Sequence, residues 1–268
     1  MTQRVLLEKR DAIAYVTLNR PDKHNGLDEA MFVELLDVAK RIKKDRSIRC
    51  VILQGAGPSF CAGLDFASVS KKPGMIVRFF LKLPWSKDNS FQRLAHCWRD
   101  LPMPVIAVVH GNCFGGGMQI ALGCDYRIAT PDAALSIMEA KWGIIPDMSA
   151  TVTLSRLTRV DIAQELTMTG RIFSGEEGAQ YGLISKTSEQ PLAAAEELAK
   201  TLCQKSPDAV AAAKYLFKKT WKMDTRGALL WERLVQLRLL GRKNQRIAMQ
   251  NGLSKGKDPK SFIDRTSF

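Results

Sequence analysis

The stretch that most constrains the fold of this chain is PVIAVVHGNCFGGGMQIALG, residues 104–123. Its apolar, β-branched run Val105–Val109 is followed closely by Gly111, which predicts a short buried strand. The glycine triplet 115–117 leads into the apolar segment 118–122, which predicts a buried helix beginning at the glycines. Free backbone N–H groups at such a helix start, aided by its dipole, can hold an anion or a developing oxyanion.

Two carboxylates, Glu139 and Asp147, follow this stretch. An oxyanion site followed by candidate acids and bases is the arrangement that proton transfer beside a carbonyl group needs. Each carboxylate also has a structural alternative. Glu139 could be a surface residue near a strand end, and Asp147 could cap a helix that starts just after it. The glycines alone do not decide, because glycine also permits tight turns and close helix packing.

The preceding residues predict an α/β fold. Residues 4–18 read as a hairpin, and 27–44 have the period of an amphipathic helix with Asp28 as its cap. Residues 48–53 read as a buried strand, and a second glycine turn follows it at 59–66. Strands that alternate with helices favour crossover connections and a parallel sheet. Residues 67–90 show no clear period and predict an irregular insert over a pocket.

The carboxyl-terminal part predicts helices at 192–205 and 208–221 and one long helical run at 225–250. We therefore expect an α/β core over residues 1–190 and a helical region over 191–268, which would serve as a subdomain or an oligomer contact.

Composition excludes several classes of protein. The first residues are charged too early for a signal peptide, and no apolar run approaches the roughly 18 residues of a membrane span, so we expect a cytoplasmic protein without membrane contact. Six cysteines without a CxxC pair and three histidines predict reduced thiols and no metal site. The net charge of +13, concentrated at 40–46, 214–222 and 238–260, fits a nucleotide-bearing substrate, RNA or no specific partner.

Four motifs in order make the chain resemble the crotonase (enoyl-CoA hydratase/isomerase) superfamily over nearly its whole length. They are LNRPDKHNGLDEAM, PSFCAGLDF, HGNCFGGGMQIALGCDYRIAT and GIIPDMSAT, with SRLTR after the last. The resemblance implies a crotonase-like spiral of ββα units with a carboxyl-terminal helical trimerisation region. It also implies a homotrimer or a dimer of trimers, and an acyl-CoA thioester substrate. CoA would be part of the substrate, and no separate cofactor is expected.

The resemblance also assigns site residues by position. The two backbone N–H groups of the oxyanion hole would be those of Leu64 and Gly116, aimed at the thioester oxygen. The residues implied to line or bind the substrate are Ala62, Gly63, Gly115 and Gln119, with Lys23, His24 and Asn25 in a loop bordering the CoA nucleotide. Basic carboxyl-terminal residues, Lys257 or Lys260, would add contacts to that nucleotide.

The chain departs from the family at one of the two glutamates that hydratases usually carry. The first is replaced by Gln119 and the second is retained as Glu139. A carboxamide cannot exchange a proton near neutral pH. Asp147 lies where dienoyl-CoA isomerases and 4-chlorobenzoyl-CoA dehalogenase have a functional aspartate. The dehalogenase has tryptophan at the Glu139 position, so the pair looks more like the dienoyl isomerase, although that isomerase also has an acid at the Gln119 position.

We therefore predict an isomerase that shifts a double bond in an enoyl- or dienoyl-CoA. Glu139 would shuttle the proton, and Asp147 would assist or act at the far end of a diene. The alternatives are an enoyl-CoA hydratase, a thioester hydrolase that uses the same oxyanion hole, an RNA-binding homologue and a catalytically silent scaffold. A nucleic-acid partner is not expected, because the chain has no RNA-binding motif with interleaved aromatic residues.

Overall fold

The structure is a computed structural model that describes residues 3–70, 73–82, 84–254 and 259–266. The predicted α/β class is confirmed. The strands are β1 Val5–Arg10, β2 Ile13–Leu18, β3 Cys50–Gly55, β4 Val105–Val109, β5 Asn112–Phe114, β6 Tyr126–Ala129, β7 Ala134–Ser136 and β8 Lys186–Thr187. Among the described residues, one six-stranded sheet has the order β1-β2-β3-β4-β6-β8, and β5 and β7 form a second, two-stranded sheet.

The main sheet is parallel except at its first edge, where β1 and β2 form the predicted antiparallel hairpin. Asp11 makes the tight turn of this hairpin with a φ of 52°. Every residue of β4 is buried, as its uninterrupted apolar sequence predicts for a strand covered on both faces. The third strand begins two residues later than predicted, at Cys50.

Helices cover both faces of the sheet and continue beyond it. Their bounds are α1 Glu29–Lys44, α2 Phe66–Val69, α3 Pro73–Phe80, α4 Ser90–Asp100, α5 Gly116–Gly123, α6 Ala150–Leu157, α7 Val160–Thr169, α8 Gly175–Gln180, α9 Pro191–Cys203, α10 Pro207–Thr220, α11 Thr225–Leu239 and α12 Lys243–Leu253. The predicted cap of α1 is confirmed, since the Asp28 side chain accepts from the Met31 N–H at 2.9 Å. Within the part of the chain described, every helix is too short or too polar to cross a bilayer.

A second layer of short strand pairs repeats alongside the main sheet. After each long parallel strand the chain makes a short β-bridge or strand and then a helix, which is the ββα unit. The pairs of this layer are Leu27–Leu64, Cys61–Cys113, β5–β7 and Leu135–Phe173. This layer matters for function because it contains the glycine turns.

Two sequence-based expectations are wrong. The run 225–250 is not one helix. Helix α11 ends at Leu239, a turn at Gly241 with a φ of 74° follows, and α12 begins at Lys243. The insert 67–90 is not wholly irregular, because it contains part of α2 and all of α3. The apolar residues of α3 occupy almost every position, which hides the helical period; among the α3 side chains whose burial the structure describes, Met75 and Phe79 are the buried ones. Residues 71, 72 and 83 of this insert lie outside the described residues.

The first helix of the helical region predicted from residue 191 is not separate from the α/β core, because it packs against the main sheet. Ala195 and Ala199 of α9 pack against Ile52 and Ile106 on one face of the main sheet. Helices α11 and α12 lie against α10. The predicted boundary at residues 190 and 191 therefore falls inside a packed layer.

Candidate active site

Three loops meet where β2, β3 and β4 end. The Cys61 N–H donates to the Asn112 carbonyl at 3.0 Å, and the Phe114 N–H donates to the Cys61 carbonyl at 2.9 Å. These bonds join the loop after β3 to the loop after β4. The Leu27 N–H donates to the Gly63 carbonyl at 2.8 Å and brings in the loop before α1. The three loops therefore form one hydrogen-bonded unit.

Glycine is required twice in this unit. Gly63 has a φ of 87°, and a Cβ there would lie 2.7 Å from the Phe114 carbonyl oxygen and 3.5 Å from the Gly116 nitrogen. Gly115 has a φ of 49°, and a Cβ there would lie 3.3 Å from Oε1 of Glu139. L-residues with a side chain rarely adopt such φ angles, and the space is already filled. The glycines let the two turns and the Glu139 carboxylate approach one another.

The predicted oxyanion donors lie on these adjoining turns. Gly116 is the first residue of α5, so its N–H has no partner within the helix. Leu64 and Leu27 form a β-bridge, in which the Leu27 N–H donates to the Gly63 carbonyl and the Asp65 N–H donates to the Leu27 carbonyl. The Leu64 N–H takes no part in these two bonds. Among the described residues, neither of these two N–H groups donates to a backbone carbonyl. Both remain available to a bound oxygen.

Glu139 is buried beside these donors, so the surface alternative is wrong. It is 6% exposed and begins a 3-10 turn. Its Oε1 accepts from Nε2 of Gln119 at 2.6 Å, whereas its buried Oε2 has no hydrogen-bond partner among the described residues. Burial raises the pKa of Glu139, and the nearby negative charge of Asp147 raises it further, while the Gln119 hydrogen bond opposes both.

Gln119 can face Glu139 in only one orientation. Its Oε1 accepts the Met148 backbone N–H at 2.8 Å, so its Nε2 must be the atom that points at the carboxylate. The amide therefore donates to Glu139 and favours its ionised form. Gln119 itself is fully buried on α5. The carboxamide fixes one carboxylate oxygen and leaves the other to react.

Asp147 does not cap α6. The N-cap position of that helix is Ser149, in the left-handed region with a φ of 67°, and no side chain caps it. Asp147 instead lines the same cavity as Glu139. Burial raises the pKa of its carboxyl group. The capping alternative is therefore wrong, and Asp147 is a second acidic group facing this cavity.

The cavity has a volume of about 680 Å³ and largely apolar walls. The predicted site residues that line it are Ala62, Gly63, Leu64, Gly115, Gly116, Gln119, Glu139 and Asp147. The insert predicted to lie over a pocket supplies Phe80 to its aromatic wall, whereas sequence reasoning missed Phe66, Phe91 and Trp142. The rings of Phe66 and Trp142 lie 4.4 Å apart, and those of Phe80 and Phe91 lie 4.9 Å apart. Each pair joins segments distant in sequence, so no local pattern could have indicated the contact. The walls can bury the apolar part of an acyl group.

Asn25 shapes the neighbouring loop rather than a binding surface. It is fully buried, its Oδ1 accepts the Arg20 N–H at 2.8 Å, and its Nδ2 donates to the carbonyls of Ala56 and Ser59. No polar atom of this side chain is left for a ligand. The predicted contact of Asn25 with substrate is corrected accordingly.

Lys23 and His24 are exposed on the same loop. The His24 carbonyl accepts the Ala62 N–H at 2.8 Å, which ties the loop to the oxyanion turn. Neither side chain lines the cavity, so their contact with a CoA nucleotide stays a prediction. Lys257 lies outside the described residues. Lys260 is held by Asn251 at the end of α12 and does not line the cavity.

One group with metal-ligand chemistry escaped the sequence analysis. Ligand atoms of Asp88, His96 and Asp100 lie within 4.8 Å of one another. Arg93 pairs with Asp88 at 2.9 Å, and Lys87 pairs with Asp100 at 2.6 Å. These cations supply the positive charge that a metal ion would bring, so we assign an ion-pair network. The prediction that the protein needs no metal stays a prediction.

Comparisons with known proteins agree with this geometry. A profile of the family described as enoyl-CoA hydratase/isomerase matches residues 8–258. The chain is 34% identical over 231 residues to a short-chain-enoyl-CoA hydratase of Clostridium acetobutylicum, covering 85% of this chain and 86% of the relative. It is 33% identical over 217 residues to the mitochondrial Delta(3,5)-Delta(2,4)-dienoyl-CoA isomerase of Rattus norvegicus, covering 75% of this chain and 64% of the relative.

The fold has solved counterparts. The crystal structure of an enoyl-CoA hydratase from Bacillus anthracis superposes with a TM-score of 0.87 at 28% identity, covering 97% of this chain and 99% of that one. This likeness confirms the predicted spiral of ββα units. The named relatives include a hydratase and an isomerase, so membership of the family alone does not decide between the two reactions.

Proposed function

Because the chain belongs to the enoyl-CoA hydratase/isomerase family, we propose that it shifts a double bond in an enoyl- or dienoyl-CoA thioester through an enolate. One observation supports this reaction most. Glu139 is a buried carboxylate beside the oxyanion turns, and the second position for an acid next to it holds a carboxamide, which donates to Glu139 and cannot exchange a proton. The reaction needs no cofactor beyond the CoA of its substrate.

The proposed reaction moves one proton and adds no atoms. With a 3-enoyl-CoA, Oε2 of Glu139 takes a proton from C2, and the C–H electron pair enters the conjugated system that ends at the thioester oxygen. The N–H groups of Leu64 and Gly116 stabilise the negative oxygen, at about 3 kcal/mol for each donor. The protonated Glu139 then returns its proton to C4, and the double bond lies between C2 and C3.

Asp147 extends the same reaction to a diene. Removal of a proton at C2 of a 3,5-dienoyl-CoA spreads the charge as far as C6, and the new proton must arrive there. Asp147 lines the same cavity, and its partial burial raises its pKa, so it can hold a proton at a higher pH than an exposed aspartate. We assign it the transfer of its own proton to C6, after which Glu139 releases the C2 proton to water and Asp147 takes one up, so that the net change is one proton removed and one added.

Hydration is the second candidate, and the presence of Asp147 in the cavity favours it. Hydration needs one group to take a proton from water and another to supply a proton to carbon. Glu139 and Asp147 could divide these tasks. Against this, Gln119 occupies the place directly beside Glu139, and a carboxamide there cannot exchange a proton with a water held between the two side chains.

Gln119→Glu tests why isomerisation is preferred. The variant places a carboxylate at hydrogen-bond distance from Glu139, where two acids share one proton. We expect hydration of 2-enoyl-CoA to rise about tenfold or more over wild type, measured as a product heavier by one water. Gln119→Met, which removes the amide without adding an acid, is the matched control and should not gain hydration. An unchanged hydration rate in Gln119→Glu would contradict the assigned role of Gln119.

We also propose that the chain assembles with copies of itself. Helix α11 and the residue that follows it expose a row of leucines, which would face water in a monomer. Its residues are Leu229, Leu230, Leu234, Leu237 and Leu240. Sedimentation should give three or six times the mass of the chain, and a monomer at micromolar concentration would contradict this assembly. The predicted cytoplasmic location stays a prediction.

A further inference from the structure

A second cavity, of about 320 Å³, lies at the amino-terminal ends of the parallel strands, whereas the candidate active site lies at their carboxyl-terminal ends. Leu101 and Pro102, which line it, directly precede β4, whereas Gly116 of the oxyanion site follows that strand. The neighbouring strands β2, β3 and β6 run parallel to β4, so their amino-terminal ends lie on the same side as that of β4. The cavity shares no lining residue with the candidate active site.

The lining of this second cavity is strongly basic. Cationic side chains come from the end of α1, from α4, from α10 and from the carboxyl-terminal segment, and the lining has one carboxylate, Asp100. The cations are Lys43, Arg46, Arg99, Lys214, Lys218 and Arg265. Two of the basic runs seen in the sequence, 40–46 and 214–222, therefore meet here, although about 170 residues separate them.

Two of these cations are already paired. Lys214 forms an ion pair with Asp125 at 2.6 Å and donates to the carbonyls of Trp98 and Met103. Lys218 pairs with Asp100. These bonds hold α10 against the amino-terminal edge of the sheet. They give the cavity a fixed wall, because the lysine side chains cannot swing away without breaking them.

Three other cations have no such compensation. Within the described ranges, Lys43, Arg46 and Arg99 form no ion pair with a carboxylate. Arg99 is half-buried, and its burial together with the like charge of Arg156 lowers its pKa. A guanidinium stays charged at neutral pH, and its partial burial and the repulsion from Arg156 outweigh the attraction of Asp125 and Asp100, with which it forms no ion pair. An anion in the cavity would relieve both costs.

We propose that this basic cavity binds a small compound with two or more phosphate groups. Arginine presents a planar set of donors that fits phosphate oxygens, and lysine adds a point charge. Three cations without an ion pair, of which Lys43 and Arg46 are exposed, can together take more negative charge than one phosphate carries, since a phosphate monoester has at most about two negative charges. The ligand is a nucleoside diphosphate or an inorganic polyphosphate, which share this chemistry. The inference does not depend on the proposed isomerase reaction.

The test is calorimetric titration of the full chain at low ionic strength with tripolyphosphate, ADP and orthophosphate. The variant K43E/R46E reverses two charges in the cavity. The matched control K40E/K44E makes the same change of net charge at the same end of α1 with residues that do not line it. We expect K43E/R46E to weaken tripolyphosphate binding about tenfold or more, and the control about twofold or less.

A second variant, Arg99→Gln, removes the half-buried charge and should also weaken tripolyphosphate about tenfold. An affinity for ADP equal to that for tripolyphosphate would identify a nucleotide site. A lower affinity for ADP would identify an inorganic polyphosphate site. Turnover of acyl-CoA and the melting temperature of each variant show that it is folded.

Four results would overturn the proposal. They are no binding of tripolyphosphate to wild type, equal weakening in both charge-reversal variants, binding that survives K43E/R46E and Arg99→Gln, and orthophosphate that binds as tightly as tripolyphosphate. Equal weakening would mean a diffuse basic surface, as for a nucleic acid. Survival of binding would place the phosphates elsewhere, including at a CoA nucleotide site.

Discussion

Glu139→Gln will lower kcat for double-bond isomerisation by about 10²–10⁴-fold, because it removes the only group that we assign to proton abstraction. The carbonyl oxygen of the new carboxamide can still accept the hydrogen bond from Gln119, so the site should keep its shape. Binding of the CoA ester, measured by calorimetry, should change little. Loss of turnover with binding retained separates a chemical role for Glu139 from a structural one.

The pH profile of wild type provides an internal check on this variant. Glu139 must be ionised to take a proton, so kcat should fall as the pH decreases through its pKa. Burial raises that pKa, so the acid limb should lie at a higher pH than the value of about 4.3 for an exposed glutamate. Residual activity in Glu139→Gln should lack this limb. A kcat within about threefold of wild type would refute the assignment of Glu139.

Gly63→Ala will lower kcat about 10²–10³-fold by displacing one oxyanion donor. The added Cβ would lie 2.7 Å from the Phe114 carbonyl oxygen, which is backbone and cannot move aside as a side chain can. The loop that carries Leu64 must then shift relative to Gly116. The two N–H groups would no longer converge on one oxygen, and the enolate would lose part of its stabilisation.

The control for this variant is Gly241→Ala, which separates the geometry of the site from backbone strain. Gly241 also has a positive φ, of 74°, but apart from its chain neighbours no atom of the described residues lies within 4 Å of an added Cβ. It also lies far along the chain from the oxyanion turns. Both variants should lose some thermal stability because alanine disfavours this backbone conformation. Gly63→Ala alone should lose turnover. Equal kcat values in the two variants would mean that the spacing of the turns does not control catalysis.

The central strand, glycine turn and helix could be predicted from the sequence because their signals are local. A β-branched run, a glycine triplet and an apolar segment follow one another within 20 residues. The cap at Asp28 was predictable for the same reason, since an N-cap bond spans three residues. The resemblance then supplied the roles of Leu64, Gly116 and Glu139, which no periodicity indicates.

Other features could not be predicted because they depend on packing between distant segments. The orientation of Gln119 is set by the backbone of Met148, 29 residues further on. The stacking of Phe66 with Trp142 and the meeting of the two basic runs likewise require the folded chain. The break at Gly241 was hidden because the leucines before it follow the helical period as far as Leu240. In each case the local pattern was compatible with more than one arrangement.

The measurement that tests the central claim most directly is the mass of the product formed in ¹⁸O-labelled water. Purified protein would be given 2-enoyl-, 3-enoyl- and 3,5-dienoyl-CoA, with ultraviolet absorbance followed in parallel. The proposed isomerisation predicts an isobaric product without labelled oxygen, a shifted absorbance, and a dienoyl reaction that Asp147→Asn slows more than the 3-enoyl reaction. A wild-type product heavier by one labelled water would contradict the account and identify the protein as a hydratase.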